Sequence, residues 1–199
     1  MRPSPKFTAS AVALGISTAL AGPALAATIN GTLGGDHLEG TPQADLIGAM
    51  GGDDRVWSFG GADTVRGGPG HDRLDLGRGN DLSFTGRGNN TVFGGPGDDE
   101  IHGDVGNDSL WGGPGADHLV NGTGADAVYG GGGPDRIGLL DGPRWASAGD
   151  GDDYIEVFNE DAKPERDVIR CGRGFDQVVF HIPRDDLDRL VGCEQVTVE

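Results

Sequence analysis

Carboxylates recur along this chain at a fixed spacing of nine residues. Aspartate stands at the sixth position of 12 of 14 consecutive nine-residue units, which begin at Gly31 and run without insertion or deletion to residue 156. Asn90 and Arg144 are the two exceptions. Carboxylates supplemented by main-chain carbonyls form the mixed oxygen set that calcium prefers, with about six to eight oxygens per ion. A column of carboxylates at this spacing could therefore bind hard cations such as calcium.

Two further columns keep the same phase and indicate the elements that position the aspartates. Glycine occupies the fourth position of 13 of 14 units, and Leu, Ile or Val occupies the eighth position of 12 of 14. Glycine permits positive φ and lets the backbone approach an ion closely. Side chains alternate along a strand, so a strand over positions seven to nine would point the aliphatic residue inward and its neighbours outward. The pattern predicts an all-β protein.

Each aspartate also has a simpler explanation as a turn residue that hydrogen-bonds its own backbone. An isolated Asp-Gly pair would be interpreted that way, whereas a phased column favours metal binding. Histidine clusters and paired thiolates are missing from the repeats, which argues against zinc or copper.

The units resemble the nonapeptide repeat of RTX, or hemolysin-type, calcium-binding proteins, whose pattern is GGxGxDxUx with U a large aliphatic residue. The best examples read GGPGHDRLD (67–75), GGPGDDEIH (94–102), GGPGADHLV (112–120) and GGGGPDRIG (130–138). The resemblance implies a right-handed parallel β-roll, which is a flattened β-solenoid with calcium in its turns. It also implies two nonads per turn.

Two nonads per turn would stack alternate units on opposite sides, 18 residues apart. One ladder then contains Asn90 and Arg144, and the other has aspartate at every position. Two stacked carboxylates per ion give a ceiling of about nine ions. The resemblance implies metal ligation by Asp36, Asp54, Asp63, Asp72, Asp81, Asp99, Asp108, Asp117, Asp126, Asp135 and Asp153.

The ends of the chain differ from the repeats. Residues 1–26 read as a secretory signal peptide, with Arg2 and Lys6 before an uncharged stretch and an A-x-A site at 24–26. The alternative is a membrane anchor, for which the apolar run is short. We therefore expect a secreted, extracellular protein with a repeat β-roll over 27–156.

Residues 157–199 are expected to hold degenerate repeats and a small C-terminal cap. VFNED (157–161) reads as an insertion, and two weaker units follow around Asp167 and Asp176. In an exported chain Cys171 and Cys193 are predicted to form a disulfide that links the cap. The CG…CE arrangement also resembles the C-terminal ends of secreted RTX-repeat proteins. Two free thiols are the alternative.

Charge and missing motifs exclude several classes of function. The chain has 199 residues, with 32 Asp plus Glu against 15 Lys plus Arg and a net charge of −17. Such a surface repels nucleic acid and attracts cations, and no later segment is apolar enough to span a membrane. There is no G-x-S-x-G elbow and no H-E-x-x-H helix. We predict a non-enzymatic calcium-binding protein that folds on binding Ca²⁺ and is structural or adhesive.

Two features leave alternatives open. Position nine places Trp57, Phe93, Trp111 and Tyr129 on one outward face. This stripe could bind an extracellular glycan or a cell-surface component, or it could stack on itself between turns. A polysaccharide-modifying enzyme is the more remote reading. Arg144 could replace an ion and pair with Asp126, or residues 139–147 could bulge out as a loop.

Overall fold

The chain coils into two stacked parallel sheets. A computed structural model describes residues 25–142, 144–158, 166–181 and 188–198. Successive strands of these residues alternate between a ten-stranded and a nine-stranded sheet, and every strand pairs in parallel with the next but one. The predicted parallel β-solenoid is confirmed, with about nine turns.

The strands are short, as the repeat predicts. The ten-stranded sheet consists of β1 (Thr28–Asn30), β3 (Leu46–Gly48), β5 (Thr64–Pro69), β7 (Leu82–Arg87), β9 (Glu100–His102), β11 (His118–Val120), β13 (Arg136–Leu139), β15 (Tyr154–Val157), β17 (Gln177–Phe180) and β19 (Gln195–Val198). The nine-stranded sheet consists of β2 (His37–Glu39), β4 (Arg55–Trp57), β6 (Arg73–Asp75), β8 (Thr91–Phe93), β10 (Ser109–Pro114), β12 (Ala127–Gly132), β14 (Trp145–Asp150), β16 (Val168–Arg173) and β18 (Arg189–Val191).

The register confirms two nonads per turn. Up to β15, paired residues are 18 apart, as in Val92 with Leu110. The eighth-position side chains form the core between the sheets, because alternation along each strand turns them inward. The two exceptions in that column, Ser83 and Ala146, are also fully buried. Apolar side chains at the first position of a unit, such as Ala49, Leu76 and Leu139, also join the core.

Glycine is required where the chain passes from one sheet to the other. Gly113 has a φ of 123°. A side chain there would collide with the carbonyl oxygen of Gly95, one turn earlier. Consecutive turns lie only about 4.8 Å apart, so the backbones come too close for a Cβ atom.

The predicted insertion is present but begins later than expected. Paired residues become 23 apart between β14 and β16 and between β15 and β17. Val157 still belongs to β15 and pairs with Phe180, so the five extra residues follow it, and most lie outside the described part. The alternative bulge at 139–147 is wrong, because Trp145 stays 18 residues from its partner Ala127.

The described part of the C-terminal region continues both sheets. β18 and β19 add the last strand to each sheet. The predicted disulfide is confirmed: Cys171 in β16 is bonded to Cys193, which lies between β18 and β19. The predicted signal peptide lies almost entirely outside the described residues. Among the described residues, no helix is long and apolar enough to cross a membrane.

Reduction of the disulfide should loosen the last turn first. The bond closes a loop with a sequence separation of 22, which corresponds to about 3 kcal/mol in the chain-entropy model. Repeat arrays couple mainly to their neighbours. With calcium present, we therefore expect faster amide hydrogen exchange in β18 and β19 after reduction. Exchange in β10 and β12 should be unchanged and serves as the internal control. Equal acceleration along the whole roll would contradict this expectation.

Candidate metal centres

The sixth-position residues form two ladders, one for each sheet. Each ladder residue lies directly before the first residue of a strand. The continuous ladder leads into the ten-stranded sheet and consists of Asp45, Asp63, Asp81, Asp99, Asp117, Asp135, Asp153, Asp176 and Glu194. The interrupted ladder leads into the nine-stranded sheet and consists of Asp36, Asp54, Asp72, Asn90, Asp108, Asp126, Arg144, Asp167 and Asp188.

In every ladder aspartate after Asp36, one carboxylate oxygen holds the preceding turn in place. The backbone N–H of Asp99 donates to Oδ1 of Asp117 at 2.8 Å, and the N–H of Asp117 donates to Oδ1 of Asp135 at 2.9 Å. The same bond recurs along both ladders. Asn90 preserves it, since its side-chain oxygen accepts the N–H of Asp72 at 2.9 Å. An aspartate or asparagine is therefore sufficient for this structural bond.

The second carboxylate oxygen is the atom that points to a cation. In ten ladder aspartates, Oδ2 is buried and has no hydrogen-bond partner. A buried carboxylate oxygen without a partner is costly unless a cation is supplied. Seven of these atoms belong to the continuous ladder, in Asp63, Asp81, Asp99, Asp117, Asp135, Asp153 and Asp176. The other three belong to the interrupted ladder, in Asp54, Asp72 and Asp108.

Main-chain oxygens converge on the same places. A Cβ atom on Gly67 would stand 2.6 Å from Oδ2 of Asp72 and 2.5 Å from the carbonyl oxygen of Thr85. Gly94, Gly112 and Gly130 have the same pair of neighbours, namely Oδ2 of their own loop and a carbonyl oxygen of the next turn. Glycine at the first position therefore keeps an oxygen-lined space open.

This donor set fits calcium. The ligands are carboxylate and carbonyl oxygens, which suit a hard cation, and loops of glycine can adapt to its irregular geometry. Among the described residues, no three His, Cys, Asp or Glu side chains gather around one point. Main-chain oxygens must therefore complete each site.

Two predicted ligands have their second oxygen already engaged. Oδ2 of Asp36 accepts the backbone N–H and the hydroxyl of Thr32. Oδ2 of Asp126 accepts Nδ2 of Asn121 at 2.7 Å. Thr32 and Asn121 stand where the repeat has glycine, so their side chains supply a donor within the loop. The other predicted ligands all have a free, buried Oδ2.

Arg144 supplies a positive charge within the interrupted ladder. Its side chain is fully buried, and Nη1 lies 2.8 Å from Oδ2 of Asp167. Its backbone N–H also bonds Oδ1 of Asp167. The prediction from the sequence named Asp126 as the partner. Arg144 does lower the pKa of Asp126 electrostatically, against the larger effect of burial. The ion pair itself is formed with Asp167, one turn further along.

Asp167 and Asp176 join the ladders although they were not among the predicted ligands. Both are fully buried, and the N–H of Asp153 donates to Oδ1 of Asp176 at 3.0 Å. The insertion hides their phase in the sequence. The signal that could have found them is the Asp-x-aliphatic spacing that each retains.

Burial makes the ladders difficult to charge. Desolvation is the main cause that raises the pKa of Asp99, Asp108 and Asp135 to about 7. Desolvation likewise raises the pKa of Asp72 and Asp81 to about 6. Neighbouring carboxylates add to the shift, and Asp99 is affected by both Asp81 and Asp117.

Three of the four residues of the predicted aromatic stripe stack on one another, whereas the ring of Trp57 lies 4.4 Å from that of His37. The rings of Phe93 and Trp111 lie 4.7 Å apart with planes 10° apart, and those of Trp111 and Tyr129 lie 5.0 Å apart with planes 2° apart. Trp145 continues the row beyond Tyr129. The inner ring faces are therefore covered by neighbouring rings, which favours the stacking interpretation over a platform for sugar rings.

The metal-free fold should be more stable in weak acid. The raised pKa values mean that the folded chain binds protons more tightly than the unfolded one, whose aspartates titrate near 3.8. This contribution is fully present below that value and is lost as pH rises through about 7. In chelator, we expect a stronger β-sheet circular dichroism signal at about pH 5.5 than at about pH 8. An equal or weaker signal in acid would contradict the burial argument.

Calcium binding should depend more on the continuous ladder than on the interrupted one. Asp99→Asn preserves the structural hydrogen bond, as Asn90 does, but removes a charge between two charged neighbours. Asp72→Asn removes a charge that already faces Asn90, so it is the matched control. By calorimetry we expect Asp99→Asn to lose about two calcium ions and Asp72→Asn about one. Asp99→Asn should also have the higher calcium midpoint for folding. Equal losses would refute the asymmetry.

Comparison with known proteins identifies the repeats. The family model described as "RTX calcium-binding nonapeptide repeat (4 copies)" matches residues 30–58, 50–83, 57–92, 84–119 and 108–137, which together span more than half of the chain. No curated protein matches the chain, and no solved structure matches it. On the strength of that match and of the stacked aspartate ladders, the chain belongs to the RTX calcium-binding nonapeptide repeat family.

Proposed function

We propose that this chain is a secreted calcium-binding module that folds when Ca²⁺ occupies its loops, and that its role is structural or adhesive. The observation that carries the proposal is the set of ten buried Oδ2 atoms without partners. An array of buried carboxylates cannot remain charged without cations. Binding and folding should therefore be one event.

Residues along the continuous ladder would hold most of the calcium. Oδ2 of Asp99, Asp117 and Asp135 would each ligate within a loop whose first residue is glycine. The carbonyl oxygens of Gly112, Gly130 and Ala148 lie beside these three atoms and would add to the shell. Bound calcium would neutralise the ladders and connect consecutive turns.

Two further observations support secretion. The disulfide between Cys171 and Cys193 is typical of oxidising compartments. Residues 1–26 have the order of a secretory signal peptide. We expect the sites to have dissociation constants of about 10⁻⁴ to 10⁻³ M, which is the range of extracellular calcium-binding modules.

The absence of catalysis is part of the proposal. The buried ladder carboxylates are already committed to the hydrogen bonds between turns and to calcium. Incubation with polysaccharides should release no reducing ends, with or without calcium. Release that requires this protein would contradict the proposal and favour the enzyme alternative.

Chelation should unfold the repeats. For the exported protein in excess chelator, we expect circular dichroism of a mostly disordered chain, and about 1 mM calcium should restore the β-sheet signal. Magnesium at the same concentration is the control, because its stricter octahedral shell and slow dehydration suit these loops poorly. A β-sheet spectrum that is unchanged by chelation at neutral pH would overturn the proposal.

A further inference from the structure

The outer face of the nine-stranded sheet carries positive charge on an acidic protein. Outward side chains lie at positions seven and nine of each nine-residue unit, which are the first and third residues of its strand. From β2 to β18 these positions hold four exposed arginines and two acids, which are Arg55, Arg73, Arg170 and Arg189, with Glu39 and Asp75. Between β8 and β16 they hold no acid at all. The chain as a whole has a net charge of −17.

The arginines lie at both ends of the aromatic stack. The guanidinium of Arg73 lies 4.4 Å from the ring centroid of Phe93, and that of Arg170 lies 5.8 Å from a ring of Trp145. Five strand spacings separate β6 from β16, or about 24 Å. Arg55 and Arg189 extend the same line to about 34 Å. Positive charge is thus placed at intervals along a straight path.

The surface between these arginines is suited to oxygen atoms. Stacked rings present their edges outward, and the ring edge is the positive part of the aromatic quadrupole. Beside the rings, position seven holds the small residues Thr91, Ser109 and Ala127. Ring edges and hydroxyl groups favour a polar, anionic chain rather than an apolar one.

The ten-stranded sheet is a natural comparison within the same molecule. Its outward positions hold two arginines, Arg66 and Arg136, and two glutamates, Glu100 and Glu156. Nη2 of Arg136 lies 2.7 Å from an oxygen of Glu156. Both arginines also lie over a ring, of Phe84 and Tyr154 respectively. This face therefore has similar groups but no excess of positive charge.

We propose that the outer face of the nine-stranded sheet binds a linear acidic polysaccharide laid along the solenoid axis. The proposal rests on the calcium-dependent fold, because the surface exists only when the turns are stacked. Calcium contributes a second effect, since neutralised ladders no longer repel an anionic chain. Arg73 and Arg170 would pair with carboxylate or sulfate groups several sugar units apart.

The test compares two pairs of arginines against a charged and an uncharged polymer. Binding of carboxymethyl dextran and of plain dextran would be measured by calorimetry in saturating calcium. The Arg73→Gln/Arg170→Gln variant removes two charges from the proposed surface. The Arg66→Gln/Arg136→Gln variant removes two charges from the other face, so its net charge equals that of the Arg73→Gln/Arg170→Gln variant. Circular dichroism of every sample reports whether the roll is folded.

We expect the wild-type protein to bind carboxymethyl dextran but not dextran. Loss of two exposed ion pairs should weaken the binding by about tenfold in Arg73→Gln/Arg170→Gln, and by less than about twofold in the control variant. No binding by a fully folded, calcium-loaded protein would overturn the proposal, as would equal effects of the two variants or equal binding of both polymers. If the β-sheet signal does not require calcium but the binding pattern is as expected, the proposed calcium-dependent folding is wrong and the proposed polysaccharide-binding surface is supported.

Discussion

A hydrogen bond from the backbone N–H of one ladder residue to the carboxylate of the next, 18 residues later along the regular repeats, is the interaction on which this structure depends. It fixes the distance between turns and orients the aspartate, so that Oδ1 is engaged and Oδ2 points into an oxygen-lined space. A fold built in this way collects negative charge in proportion to its length. Each added turn brings up to two more buried carboxylates, whose charge is costly unless it is compensated.

The protein compensates part of this buried negative charge with its own side chains. Asn121 donates to Asp126, and Arg144 pairs with Asp167, so both carboxylates have a side-chain partner. Asn121 stands at the first position of its unit, where many other loops have glycine. The two edges of the same roll therefore differ in how many of their buried carboxylate oxygens have a side-chain partner.

The repeat made most of the architecture predictable. A column of aspartates with a column of aliphatic residues two positions later specifies a strand, its inward side and the carboxylate before it. Contacts that cross the insertion could not be predicted from the sequence. The ion pair of Arg144 is one of them, because its partner Asp167 lies 23 residues later rather than 18, whereas the regular spacing pointed to Asp126. Thr32 and Asn121 were equally hard to foresee, since the repeat pattern does not show that a side chain at a glycine position will donate to the aspartate of its own loop.

The parallel stacking has a mechanical consequence. A pull along the axis loads the hydrogen bonds between turns one turn at a time, starting from an end, because the bonds of each strand join only its two neighbours. Each turn released would lengthen the chain by about 60 Å, since 18 residues extend at up to about 3.4 Å each. The bond between Cys171 and Cys193 lies across the last turn and would shorten that extension. Such a roll would give way in steps under tension, and its covalently closed end would hold longest.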